Sequence, residues 1–240
     1  LSREEDYAVY IDSPFDAEKR CLLIGRDVSS RYSRRGPEEY EKIYTYIQTV
    51  VRGRMGNYMV FFPSYKMLEE VAALALQKGL PNGAKLLCQN PHMKEEEREA
   101  FLQEFEGEGV VGFCTMGGIF SEGIDLTGRR LIGAIIVGTG LPMVCNEREI
   151  LRQYFEEKEG KGYEYAYLYP GLNKVLQAAG RVIRTQEDEG MILLLDERFL
   201  SPATRQMFPR EWADYQVVDL QQIERVEKDF WKRRSGEPTT

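Results

Sequence analysis

The sequence predicts an α/β domain, a mainly parallel β-sheet with helices on both faces. Three observations carry that expectation. Short apolar runs alternate along the chain with longer segments of helical periodicity, and strands joined through helices pair in parallel. The 240 residues suit one large α/β domain with a sizeable core. A hydrophobic fraction of 42% and a charged fraction of 30% fit a globular chain rather than a fibrous or disordered one.

The elements follow in order. Cys-Leu-Leu-Ile at 21–24 reads as the first buried strand, and Pro37 suits the start of a helix over 38–51. Tyr-Met-Val-Phe-Phe at 58–62 reads as the second strand. Ser64 is an N-cap for a helix over 65–78 that stops at Gly79. A strand at 85–88, a turn through Pro91, and a helix over 95–105 ending near Gly107 come next. Strands at 110–114 and 134–137 flank a glycine-rich segment. A helix over 147–157, a strand at 165–168, a helix over 172–184 and a strand at 191–195 continue the alternation. A last helix runs from Leu220 to about Arg234, and the polar tail 235–240 is expected to be disordered. No repeat or linker interrupts the pattern, so residues 1–234 read as one domain.

Composition excludes several classes. A net charge of -7 argues against a protein that coats nucleic acid, while leaving room for local phosphate contacts. No apolar run approaches the roughly 18 residues of a membrane span, so no membrane partner is expected. The chain opens on Leu1-Ser2-Arg3-Glu4, without methionine or an apolar signal segment, which reads as a fragment of a longer protein. Cys21, Cys88, Cys114 and Cys145 form no C-x-x-C pair. Three of the four sit in apolar surroundings and read as reduced, buried thiols of a cytoplasmic protein. The only histidine, His92, reads as a loop residue, and no metal site is expected.

Two constellations carry chemistry. In the predicted helix over 172–184, Gln177, Gly180, Arg181 and Arg184 fall at i, i+3, i+4 and i+7 and share a face, while Leu176, Ala179, Val182 and Ile183 turn to the core. Convergent arginines suit a polyphosphate, because guanidinium is planar, always charged and bidentate. A solvated helix face accounts for them as well. The second constellation follows the strand at 110–114. Thr115, four glycines between 117 and 128, Ser121, Glu122 and Asp125 line a loop at the carboxyl end of a strand, where open α/β sheets bind ligands. Such loops also serve as plain connectors.

The spelling of both segments is specific. Gly117-Gly118-x-Phe120-Ser121-Glu122-Gly123-Ile124-Asp125 resembles motif V of the XPD/DinG group of superfamily 2 DNA helicases, and Gln177-x-x-Gly180-Arg181-x-Ile183-Arg184 resembles their motif VI. Ser13-Pro14-Phe15 resembles the lead-in to the second motor domain, Phe61-Phe62-Pro63-Ser64-Tyr65 resembles motif IV, and Leu194-Leu195-Asp196-x-Arg198-Phe199 resembles the segment after motif VI. No G-x-x-x-x-G-K-[ST] phosphate loop is present. The resemblance therefore implies the second RecA-like domain of such a helicase, a P-loop NTPase-like fold lacking its own P-loop.

By that resemblance, ATP and Mg²⁺ sit in a cleft shared with the first RecA-like domain, which supplies the P-loop and the Mg²⁺ ligands. An iron–sulfur cluster, where a relative has one, belongs to that first domain and not to this chain. Arg181 and Arg184 are the implied catalytic residues, arginine fingers on the γ-phosphate, with Gln177, Gly123 and Asp125 bordering the nucleotide. Single-stranded DNA is the implied partner, moved with 5′ to 3′ polarity. Ser64, Tyr65, Thr115 and Ser121 offer donors to its phosphates, and Arg31, Arg34 and Arg35 form a basic cluster that reads equally as a solvated loop. Two other readings stand beside this one: a RecA-like interaction module without catalysis, and a self-sufficient nucleotide hydrolase using Asp196 and Glu197 after an apolar strand.

Overall fold

A computed structural model describes residues 15–120 and 126–235. Seven strands, β1 (Arg20–Gly25), β2 (Tyr58–Phe62), β3 (Lys85–Cys88), β4 (Val110–Thr115), β5 (Gly133–Val137), β6 (Gly190–Leu195) and β7 (Gln216–Val218), form one sheet. Their order is β3-β4-β2-β5-β6-β1-β7, and every neighbouring pair is parallel. The helices are α1 (Pro37–Gly53), α2 (Tyr65–Lys78), α3 (Glu95–Gln103), α4 (Asn146–Glu159), α5 (Tyr169–Ala179), α6 (Pro202–Arg205) and α7 (Ile223–Ser235).

The strands alternate their side chains between two core layers. Tyr58, Val60 and Phe62 of β2 pack with α1, α2 and α7, while Met59 and Phe61 pack with α3 and α5. All five residues of β2 are buried, as expected of a parallel strand covered on both sides. The start and stop signals hold at several points. Ser64 caps α2 by accepting a hydrogen bond from the Met67 N–H, Gly79 closes that helix at φ 79°, and Pro37 opens α1.

Four expectations need correction. Residues 165–168 are not a strand. They lie in a π-helical turn, Glu164–Leu168, that runs into α5. The tyrosines there stack in helical steps, Tyr163 on Tyr167 at 5.4 Å and Tyr165 against Tyr169 at 5.1 Å. Pro170 brings no N–H to the Ala166 carbonyl, and Arg148 Nη1 donates to that oxygen instead at 2.8 Å. The seventh strand is β7, too short to stand out in the sequence. The helix predicted over 172–184 ends at Ala179, with Gly180 as its C-cap. Of the cysteines, Cys21 and Cys114 are buried, whereas Cys88 and Cys145 are exposed, so two rather than three sit in the core. The final helix begins at Ile223, three residues later than expected, because the Asp219 carboxylate first collects the Gln221 and Gln222 N–H groups in a turn.

Candidate functional site

The chemistry-bearing residues gather at the two ends of the sheet. At the carboxyl ends of the strands, β2 leads into Ser64 and Tyr65, the start of α2, and β4 ends on Thr115. Gln89, just after β3, joins them. Its side-chain oxygen accepts from the Thr115 N–H at 2.8 Å and the Thr115 hydroxyl at 3.2 Å, and its Nε2 donates to the Tyr65 hydroxyl at 2.8 Å. A Cβ at Gly118 would lie 2.6 Å from the Thr115 hydroxyl, so only glycine lets the chain turn there. Ser64 spends its hydroxyl as the helix cap, leaving the α2 amino end as the polar feature facing outward.

The basic cluster occupies the same edge, and much of its charge is already engaged. Arg34 pairs with the buried Glu39 at 2.9 Å, Arg31 lies 3.5 Å from Glu197, and Arg35 Nε donates to the Ser30 carbonyl. Glu39 also accepts from the Ser29 N–H, so these contacts fasten the loop. Beside them, Asp196 is fully buried with both oxygens occupied. Oδ2 accepts from the Ser30 N–H at 2.9 Å, the Ser30 hydroxyl at 2.7 Å and Arg198 Nη2 at 2.8 Å, and Oδ1 accepts from Arg198 Nε at 2.8 Å. Burial pushes the Asp196 carboxyl up, but Arg198 and the Ser30 hydroxyl outweigh it and hold the group below the usual carboxylate range. This carboxylate ties β6 to the loop after β1 and has no oxygen left for a reacting water.

The arginine segment lies at the opposite end, by the amino ends of the strands, roughly 17 Å away across the length of β6. After Ala179 the chain tightens, with Arg181 N–H donating to Ala178 and Val182 N–H to Ala179. Val182 turns inward and packs against Gly190, where an added Cβ would come within 2.3 Å of its Cγ1. Arg181 Nε bonds the Gln177 carbonyl at 3.2 Å. Arg184 lies five residues past the end of α5, so the two arginines project from a turn rather than along one helix face. Asp188 organises that turn. It is 3% exposed and accepts from the N–H groups of Arg184 at 2.8 Å, Thr185 at 2.7 Å and Gly128 at 2.9 Å. Burial raises the Asp188 pKa, yet these donors hold it below the usual range.

Ser121, Gly123 and Asp125, together with Glu122, Ser13 and Pro14, lie outside the described residues. The connection that contains residues 121–125 joins the two ends of the sheet, because it leaves β4 at Thr115 and enters β5 at Gly133. Its first part is anchored by Phe120, which is buried and stacked on Phe101 at 4.3 Å. Sequence reasoning missed Gln89 and Asp188. A polar residue directly after a strand was the available signal for Gln89. Asp188 had none, since its partners are backbone groups. Among the described residues, no three His, Cys, Asp or Glu side chains converge as a metal site, and no helix is long and apolar enough to cross a membrane.

With this geometry in view, comparison with known proteins defines the class. A family model described as the helicase C-terminal domain matches residues 47–215, and the chain belongs to that family. A probable ATP-dependent helicase of Methanocaldococcus jannaschii is 25% identical over 227 residues, covering 88% of this chain and 34% of its own length. A regulator of telomere elongation helicase 1 homolog of Drosophila persimilis is 31% identical over 188 residues, covering 72% of this chain and 18% of its own length. The chain thus spans about a third or less of these relatives. An apo XPD structure shares the fold with a TM-score of 0.68 at 23% identity, over 83% of this chain and 40% of that one. The C-terminal domain of the DEAD-box protein Dbp5 follows at a TM-score of 0.51 and 13% identity, over 89% and 97%. More narrowly, the chain is a helicase C-terminal domain with a RecA-like fold, which it shares with the XPD structure.

Proposed function

We propose that this domain is the second motor half of an ATP-dependent DNA helicase, using one end of its sheet for nucleotide and the other for single-stranded DNA. The observation that carries the reading is the separation of the polar groups into two ends joined by the 116–132 connection. Arg181 and Arg184 extend toward an ATP held by the P-loop of a first RecA-like domain and neutralise charge that develops on the γ-phosphoryl group. Gln177, Gly123 and Asp125 border the nucleotide. That first domain holds the Mg²⁺. At the carboxyl end, the start of α2 at Ser64 and Tyr65, with Thr115, Ser121 and the Arg31, Arg34 and Arg35 loop, grips phosphates. ATP closes the cleft and its hydrolysis opens it, so alternating grip moves the strand, with the 5′ to 3′ direction expected of the family.

The test uses a polypeptide that joins this domain to its P-loop partner. Arg181→Ala and Arg184→Ala should each lower ATPase kcat by about 10³-fold or more, with nucleotide affinity changed far less. Lysine should rescue poorly, since an ammonium cannot reproduce the bidentate fork. Both arginines lie outside the core layers, so melting of the domain should shift little. ATPase left intact by the alanine variants removes the arginine-finger assignment.

A further inference from the structure

We propose that Asp188 is a positioning residue that holds the Arg184 turn in register with the connection from the nucleic-acid end, and so acts on ATP turnover through Arg184. The inference rests on the motor-half reading and adds a part to it. The carboxylate has two oxygens and divides them between two segments. Oδ2 receives the N–H groups of Arg184 and Thr185, which fix the backbone from which Arg184 projects. Oδ1 receives the N–H of Gly128, at the far end of the connection that begins at Thr115. The Asp188 N–H returns to the Thr185 carbonyl, closing the turn. At 3% exposure the group is shielded from water, so these bonds keep their strength.

The arrangement makes a displacement of the connection a displacement of the arginine. Gly128 opens a single 3-10 turn, Gly128–Arg130, after which Ile132 N–H bonds the Asn57 carbonyl and the chain becomes β5. The β5 end is therefore fixed, and Gly128 is the point at which the last turn of the connection meets the carboxylate. Ionised carboxylate is the group that suits this position, because it accepts from both sides at once. Asparagine accepts through one oxygen only, and its amide nitrogen would face an N–H. The low pKa of Asp188 agrees with a permanently charged clamp.

The experiment is a double-mutant cycle in the polypeptide joined to the P-loop domain, measured well below the melting temperature. Asp188→Asn should lower kcat about 10–100-fold while KM for ATP stays within a few-fold. It should also weaken the stimulation of ATPase by single-stranded DNA. In an Arg184→Ala background the same substitution should cost almost nothing further in kcat, since the residue it serves is gone. Asp188→Glu, which keeps the charge but displaces it by a methylene, provides a second variant with intermediate loss. If Asp188→Asn multiplies fully with Arg184→Ala, or both Asp188 variants leave kcat and DNA stimulation unchanged, the positioning role is wrong although the motor-half reading stands. If Arg184→Ala itself leaves kcat intact, the arginine assignment and this inference fall together.

Discussion

Glu227 offers a perturbation whose size follows from the fold. It sits in α7 with no exposed surface, and neither carboxylate oxygen has a hydrogen bond of normal geometry. The end of α1 presses on it, since a Cβ at Gly53 would lie 2.2 Å from the Glu227 carboxyl carbon. Its charge also reaches the buried Tyr58 hydroxyl and Cys21 thiol. Burial foremost, with Glu224 adding, pushes the pKa from 4.5 up to about 8, against the opposing influence of the Trp231 indole and Lys228. Between those two pH values the folded chain keeps a proton that the unfolded chain has released. Stability from this group is full below pH 4.5 and is lost as pH rises through 8. The gap sets a ceiling of roughly 5 kcal/mol, and relaxation of the helix and water entry should reduce the measured effect to about 1–3 kcal/mol. Glu227→Gln keeps the shape without the charge. Urea unfolding at pH 5.5, 7 and 8.5 should show variant and wild type within about 1 kcal/mol at the lowest pH. The variant should then be more stable by about 1–3 kcal/mol at the highest. For a domain of this size that difference is several degrees in Tm. The acidic groups Asp188 and Asp196 drive the opposite trend at low pH and cancel in the comparison. Parallel pH profiles for the two proteins would refute a buried, proton-bearing Glu227.

Three further outcomes test the reading of the remaining polar groups. The chain alone, given ATP, Mg²⁺ and single-stranded DNA, should release no phosphate above background. Asp196→Asn should destabilise it by about 3–5 kcal/mol by leaving Arg198 without its buried partner, and wild-type stability from Asp196 should fade as pH drops through its low folded pKa. Turnover by the chain alone that vanishes in Asp196→Asn would favour the self-sufficient hydrolase. Single-stranded DNA should bind weakly and without sequence preference, with log affinity falling against log salt by about 0.7 per phosphate contacted. Strong sequence preference in a binding titration at moderate salt would contradict a translocating motor.

Much of this protein was legible without coordinates. The runs at 58–62 and 110–114 became strands because they are apolar throughout and a sheet covered on both faces needs them so, whereas Lys85–Cys88, read as a buried strand, forms a partly exposed edge strand. Ser64, Gly79 and Pro37 mark helix ends because each supplies a local hydrogen bond or backbone angle that needs no distant partner. The motif spellings were enough to indicate the family. Tertiary structure alone decided where α5 stops. Helical periodicity suits residues 172–184, but Val182 gains more by packing beside Gly190, and Asp188 intercepts the Arg184 and Thr185 N–H groups. It also decided that Tyr165 belongs to a π turn, through ring stacking and Arg148, and that Gln89 links Thr115 to Tyr65. Above all, it separated Arg181 and Arg184 from Ser64 and Thr115 by the length of a strand. Periodicity records how each residue is buried by its neighbours in sequence, and it carries no information about which distant carboxylate will claim a backbone N–H.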